Sequence, residues 1–464
     1  MREAPEACGP TYIVSTTSAR PILVYKNGRI EPNTYADVIA AANALSTFAS
    51  SLAGCCLRSV ASAGHRILLL SHPPLSFLAV VPSGVSSSAT SVHMSVLKTR
   101  LNLVHAQLVS LLTLPAIRSL FERNPGYDIR SLLCGSGERV MDRLIGGFED
   151  SPCSWLGAVR VGGLGGLAGT SVGKVLERAV ARTGSVFGAV FVRGRGKAVG
   201  EMAGRVGLGL SPWDLMLLEN LCACIGGGRH GDVDGGSGSD FDGDLTVTPV
   251  CLPFYDSCGN FHAHVRHGQR GRRRRDGGQH EEIQVVLLSG MLIEDMDALR
   301  DATDAVLASM PPSPSPSRSP SLTDAVLASM SPSPSPSPSP SSTDAVLAPS
   351  GAIHRHVVFK DTRKQQYVST DGIPASCNGH FGWMRAAMFA QDDGNEAGAL
   401  AVGDRPLQAF RLERVGAWTY AAFASAEAEL YMCTEESFED DGAAARFAAE
   451  VRARVLQQRE ALFS

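Results

Sequence analysis

Residues 248–265 read Thr248-Pro249-Val250-Cys251-Leu252-Pro253-Phe254-Tyr255-Asp256-Ser257-Cys258-Gly259-Asn260-Phe261-His262-Ala263-His264-Val265. Val247 to Phe254 is apolar and proline-bounded, Asp256 to Asn260 supplies turn residues, and Phe261 to Val265 alternates again. That is the pattern of a β-hairpin. The flanks supply its neighbours. Upstream, Leu210-Ser211-Pro212-Trp213-Asp214-Leu215-Met216-Leu217-Leu218-Glu219-Asn220 opens a helix, with Ser211 placed as N-cap and Pro212 at the first helical position. Strands are expected at Leu156 to Val161, Val186 to Val192 and Gln284 to Leu288, with a helix over 170–182.

Residues 11–125 carry a second set of elements. Tyr12 to Thr16 and Ile22 to Tyr25 are strands around a Ser18-Ala19-Arg20-Pro21 turn. A helix follows Asn33 or Thr34, and Val38, Ala41, Leu45, Phe48 and Leu52 recur every three or four residues as its apolar face. Strands near Val60, Ile67 to Leu70 and Phe77 to Val81 precede a long helix over 91–112, striped by Leu97, Leu101, Val104, Leu108 and Leu111. A short helix ends near Arg123. The order β-β-α-β-β-β-α-α is that of an α+β sandwich. Residues 351–464 repeat the theme, with strands from His354, Gln366, Gln408, Ala417 and Ala428 and a last helix bearing Phe447, Val451, Leu456 and Phe463.

The chain has 464 residues, room for about three domains. Its net charge of −4 gives no whole-chain nucleic-acid footprint. Two inserts interrupt it. Residues 226–243 are Gly/Asp/Ser-rich. In 301–350 the string Thr303-Asp-Ala-Val-Leu-Ala returns from Thr323 and Thr343, with Ser-Pro runs between, so this stretch is expected to be a disordered spacer. The most apolar run, Ile67 to Val81, is broken by His72-Pro73-Pro74, and neither half could span a bilayer. Any membrane contact is therefore expected to be peripheral.

Eleven cysteines occur without C-x-x-C spacing, which fits reduced thiols in a cytosolic protein. His262 and His264 share one strand face and read most simply as exposed strand polarity. Gly163-Leu164-Gly165-Gly166-Leu167-Ala168 fits a loose G-x-G-x-x-A turn between a strand and a helix, which keeps a dinucleotide-binding enzyme as a remote alternative. The overlapping Ala168 to Val175 stretch lacks the first glycine and the hydroxyl of a P-loop. Arg270, Arg272, Arg273, Arg274 and Arg275 form a basic run suited to anionic headgroups.

The hairpin resembles the "TP-ICLP-x-F-N-x-x-GF-x-HAYI" string of the Mon1 family. Leu210 to Asn220 is similar to that family's "LHPxDLxLLxN". Tyr127-Asp128-Ile129-Arg130-Ser131-Leu132-Leu133 with Gly135-Ser136-Gly137-Glu138 is similar to its "YDLRRLL-GGTE". His354 to Lys360 and Gln366-Tyr367 resemble its "RHFxYKS…QY" strands.

The resemblance implies an α+β chain of three tandem longin domains, each a five-stranded antiparallel sheet flanked by helices. The expected boundaries are a disordered tail at 1–10, longin domains at 11–125, 126–300 and 351–464, flexible inserts at 226–243 and 267–282, and the Ser/Pro linker at 301–350. It further implies a Mon1–Ccz1-type guanine-nucleotide exchange factor subunit with no covalent active site, cofactor or metal. Expected partners are a Ccz1-like longin protein, a Rab7-like GTPase substrate, an upstream Rab5-like GTPase and an anionic membrane surface. The expected location is the cytoplasm, with peripheral recruitment to late endosomes or vacuoles. Contacts are expected on the 35–53 helix, with Asp37, Asn43 and Ser46 as candidates, and on the arginine run for the membrane. A longin-fold adaptor that binds Rab proteins without exchange activity is the alternative. The family carries a long regulatory segment before its first longin domain, whereas the first strand here is expected near Thr11.

Overall fold

The computed structural model describes residues 10–26, 29–30, 35–53, 57–62, 64–82, 94–125, 127–161, 171–194, 200–225, 245–270, 281–310, 355–369, 373–389, 408–435, 438, 440–457 and 459. Three sheets are formed among them. The first takes β1 (Thr11–Thr16), β2 (Pro21–Lys26), β3 (Arg29–Ile30), β4 (Ser59–Ala61), β5 (His65–His72) and β6 (Leu75–Pro82), in the order β3-β2-β1-β6-β5-β4 with antiparallel neighbours throughout. Alternation along its strands sends one set of side chains to each side. Tyr12, Val14, Leu23, Phe77 and Ala79 join a core with α2 (Met94–Leu112), α3 (Leu114–Arg123), α4 (Arg130–Leu133) and α5 (Ser136–Gly146). Ile13, Val24, Leu78 and Val80 face α1 (Ala36–Ala53) on the other side.

The second sheet takes β8 (Phe187–Gly194), β9 (Glu201–Gly207), β10 (Leu245–Leu252), β11 (Asp256–Arg270) and β12 (Glu281–Ser289), in the antiparallel order β10-β11-β12-β8-β9. One face is covered by α7 (Ser171–Thr183) and α9 (Met296–Ser309), the other by α8 (Pro212–Ile225). The third sheet takes β13 (Arg355–Asp361), β14 (Gln366–Ser369), β15 (Gln408–Val415), β16 (Trp418–Ser425) and β17 (Ala428–Thr434). It lies between α10 (Ala375–Phe389) and α11 (Asp441–Gln457). A sixth strand, β7 (Val159–Arg160), joins its edge in parallel with β14.

The α+β expectation therefore holds, with six, five and six strands in place of three sets of five. Other expectations need correction. Residues 301–309, expected in the disordered spacer, are the second half of α9, because Leu299, Ala302 and Val306 form a helical stripe buried on the second sheet. Thus the first copy of the repeat is folded, while the copies from Thr323 and Thr343 lie outside the described residues, as does 226–243. The insert expected at 267–282 shrinks, since β11 runs to Arg270 and β12 starts at Glu281, with register kept between them. Leu156 to Val161, expected as one strand, is the end of the helical turn α6 (Cys153–Leu156), a left-handed Gly157 (φ 62°) and the short β7. Only a residue without a Cβ fits there, since one would stand 3.0 Å from Trp213 as well as meeting the positive φ.

The segment from Phe148 to Val161 reaches all three sheets. Phe148 is buried in the first core, edge-on to Tyr12 at 5.6 Å. Trp155 and Leu156 are buried against the third sheet. Val159 and Val161 enter the core of the second, where Val161 bridges Met202 of β9. Polar contacts fix each end. The buried Arg100 guanidinium donates to Phe148 O (2.8 Å), Tyr12 Oη (3.0 Å) and Glu149 Oε1 (2.5 Å). Trp155 Nε1 donates to Asn378 Oδ1 (2.9 Å), whose Nδ2 donates to Glu149 O (2.7 Å). Lys360 Nζ donates to Leu156 O (2.7 Å), and Arg385 Nη1 donates to Trp155 O (3.1 Å). Both cations also contact Glu429, at 3.1 and 2.8 Å, and Tyr431 Oη donates to it at 2.8 Å.

Burial alone would push the Glu429 carboxyl up, but Arg385 and Lys360 outweigh it and hold the value at about 2. An unfolded glutamate titrates near about 4.3. The folded value is the lower one, so this cluster's stabilisation is complete above the unfolded value and drains as pH falls toward 2. Replacing Glu429 by Gln leaves two cations facing a neutral amide. The expected cost is about 3–5 kcal/mol, read by chemical denaturation at neutral pH. The acid limb of the variant's stability profile should be shallower than that of the parent chain.

Candidate docking face

Helix α1 meets the first sheet through Ile39 and Ala42, which are buried against Ile13, Val24, Leu78 and Val80. The expected core stripe is not the one used. Ala41 is exposed, and Leu45, Phe48 and Leu52 are 45%, 61% and 70% exposed. Val38 keeps a half-buried place beside Ile39, but seating Ala42 in place of Ala41 shifts the contact by one residue, about 100° of helical rotation. The sheet reaches only the first half of the helix with large side chains, so the following turns carry Leu45, Phe48 and Leu52 outward. Three apolar side chains at this spacing form a ridge, the form taken by a helix that docks on another surface.

Asp37 is exposed in the first turn, where the helix dipole favours an acid. Eleven residues of helix bring it within about 20° of Phe48, on the outward side. Asn43 and Ser46 lie on the other side, half-buried. Asn43 Nδ2 donates to Thr16 O at 3.2 Å and so ties α1 to the end of β1. Ser46 presents its carbonyl to Ser50 Oγ (2.9 Å). Of the three residues, only Asp37 shares the exposed ridge. Arg270 is the last residue of β11, while Arg272, Arg273, Arg274 and Arg275 lie outside the described residues.

The motif residues lie inside the molecule. Ser211 caps α8 as expected, with Asp214 N donating to its Oγ at 3.0 Å. Asp214, fully buried, accepts from Ser211 Oγ (3.1 Å) and from Phe254 N (3.1 Å), so the helix start grips the hairpin turn. That turn is Pro253 to Tyr255, and Asp256 to Asn260, expected as turn, already belong to β11. Further along α8, Glu219 accepts from Arg143, Arg193 and Gly200 N. Asn220 Nδ2 donates to Gln107 Oε1 (3.0 Å) and Val140 O (2.9 Å). These contacts join α2 and α5 of the first core to the second. His264, expected as exposed polarity, is buried with Nε2 3.0 Å from Ser289 Oγ, and burial lowers its pKa to about 4.

The glycine turn at 163–168 lies outside the described residues, but its flanks are placed. β7 belongs to the third sheet and β8 to an antiparallel second sheet. A dinucleotide fold needs those two strands parallel in one sheet. No single described helix is long and apolar enough to cross a membrane.

Three sheet-and-helix layers with a ridge on the first define a chain of tandem longin domains. Residues 10–144 match the family model described as the first longin domain of FUZ, MON1 and HPS1. The chain is 29% identical over 209 residues to vacuolar fusion protein MON1 homolog A of Gallus gallus, covering 45% of this chain and 34% of that one. It is 34% identical over 224 residues to homolog B of Homo sapiens, covering 48% and 37%. It is 30% identical over 209 residues to protein SAND of Takifugu rubripes, covering 45% and 35%. The matched stretch is thus similar to Mon1-type proteins, and it spans about a third of the length of these relatives.

Burial raises the Asp214 carboxyl to about 6, against the lowering effects of the Phe254 and Ser211 hydrogen bonds. A folded value above the unfolded one of about 3.9 means that ionisation opposes folding. The contribution is most favourable below about pH 4 and is lost as pH rises through 6. Asp214→Asn keeps an acceptor for Phe254 N and removes the charge. The variant is expected to match the parent in acid and to exceed its stability by about 1–3 kcal/mol above pH 6, measured as denaturation midpoints across that window.

Proposed function

We propose that the chain is a subunit of a Mon1–Ccz1-type guanine-nucleotide exchange factor, acting in vesicle-mediated transport toward the late endosome or vacuole. The observation that carries this is the Leu45, Phe48 and Leu52 ridge on α1 of the matched longin domain. Exposed apolar side chains in one row favour a protein partner over water. The relatives' names as vacuolar fusion proteins support the trafficking role.

In this proposal a Ccz1-like longin protein covers the ridge, with Asp37 at its rim and strands of the first sheet beside it. The pair then holds a Rab7-like GTPase. Exchange makes and breaks no covalent bond. The pair binds the nucleotide-free GTPase more tightly than the loaded form, which lowers the barrier to GDP release. GTP then rebinds from the cellular pool. The second and third domains face an anionic membrane and an upstream Rab5-like GTPase, with the Arg270 to Arg275 run toward the lipid.

The test is release of fluorescent GDP from a Rab7-like GTPase on liposomes, with the chain alone, with a co-expressed Ccz1-like subunit, and with neither. Acceleration by the pair alone is the expected result. A stable pair that binds the GTPase without accelerating release would make the chain an adaptor instead. Phe48→Asp is expected to weaken the pair by about thirty-fold or more, the effect of losing one anchor residue. The residue is 61% exposed, so the variant's own denaturation midpoint should be unchanged.

A further inference from the structure

A second feature is independent of the docking ridge. Where the hairpin turn meets the elbow between α2 and α3, the fold leaves an open cavity of about 180 Å³. Part of its wall is apolar, from Ala106, Val109, Leu114, Pro253 and Phe254. The polar part comes from His72, Asn102, His105 and Ser257. His72 and His105 are stacked, with centroids 4.2 Å apart and planes within 9°. Phe77 meets His105 edge-on at 5.3 Å.

The polar wall has donors to spare. His72 Nε2 lies 3.2 Å from Asn102 Oδ1, so the imidazole donates there and the carboxamide NH₂ is left over. His105 has His72 stacked on one face, Phe77 edge-on beside it, and no hydrogen bond among the described residues. Among the described residues the Ser257 hydroxyl has only a 3.9 Å contact with Cys258 Sγ. Among the described residues no carboxylate lines the cavity, and Arg118 is close enough to act on His105 electrostatically. Donors beside apolar side chains suit a group with an apolar body and an anionic tip, and the neighbouring Asp256 carboxylate is engaged by Cys258 N at 2.9 Å. A cavity of roughly 150 Å³ holds benzene.

We propose that this cavity is a binding site for a small organic carboxylate. The apolar body packs between Val109, Leu114 and Phe254, and the carboxylate accepts from His105, Asn102 and Ser257. A ligand there bridges the first-domain helices and the hairpin turn, which meet through the packing of Phe254 on the first core.

Benzoate is the probe, with toluene as the control of equal body and no charge. The full chain is titrated while the histidine ring C–H signals are followed by NMR. Saturable shifts of two histidine signals at about millimolar benzoate are expected, in keeping with the small size of the ligand. His105→Phe keeps the stacked ring and removes the donor, and Ser257→Ala trims the opposite lip. Each should weaken benzoate about ten-fold, the effect of one hydrogen bond to a charged group, with unchanged midpoints in the absence of benzoate. The proposal is overturned if benzoate produces no saturable shift. It is equally overturned if toluene binds as well as benzoate, or if both variants bind benzoate like the parent.

Discussion

The buried Glu429 carboxylate between Lys360 and Arg385 is the contact on which the arrangement of the three layers depends. An ion pair excluded from water is a weak source of net stability, because desolvation offsets most of the attraction. What this one provides is position. The same two cations hold the carbonyls of Trp155 and Leu156 at the end of a helical turn, where backbone acceptors have no partner within the helix. With those carbonyls fixed, Trp155 is set against the third sheet, β7 extends that sheet's edge, and Val161 reaches the second. Arg100 performs the matching task at Phe148 and Glu149 for the first sheet. One run of residues thus enters three cores, held at both ends by cations that bond to its backbone.

The family strings belong to the same internal framework. Ser211, Asp214, Glu219, Asn220 and Phe254 give the chain its recognisable text: the first two and Phe254 tie α8 to the hairpin turn, while Glu219 and Asn220 join the first two layers. They identify the architecture without forming its exposed surface. That surface is made of ordinary residues, Leu45, Phe48 and Leu52, which no motif marks. Residues that make many specific polar contacts at once leave a distinctive string, whereas an apolar ridge needs only side chains of adequate size at helical spacing.

This difference explains what could be read before the structure. The Ser211 cap, the hairpin and most strands depend on neighbours a few residues away, so local pattern was enough. The role of residues 148–161 was not legible, since Trp155 meets Asn378 and Leu156 meets Lys360 across more than 200 positions. Helix α1 was legible as a helix but not in its rotation. Two apolar stripes one residue apart compete there, and only the sheet decides between them. His264 failed for a related reason. Alternation placed it on a strand face, but whether that face meets water depends on what packs over it, and His264 pairs with Leu287 on the face covered by α7 and α9. The end of α9 was concealed by its likeness to the repeat that follows it, because burial on the second sheet and not the local string makes it helical.

The two faces of the first sheet are used separately. Its α2 and α5 side carries Tyr12, Arg100 and Phe148 and is bonded into the rest of the chain. Its α1 side touches none of these groups and rests on Ile39, Ala42 and the Asn43 contact to Thr16. A partner covering the α1 ridge would therefore add a layer to the first sheet without disturbing the junction of the three. In the proposed exchange reaction the GTPase is the component that changes conformation. Its platform has to present a fixed surface that fits the nucleotide-free state. Layers joined through one buried segment, with the exposed α1 ridge on the opposite face of the first sheet, suit that requirement.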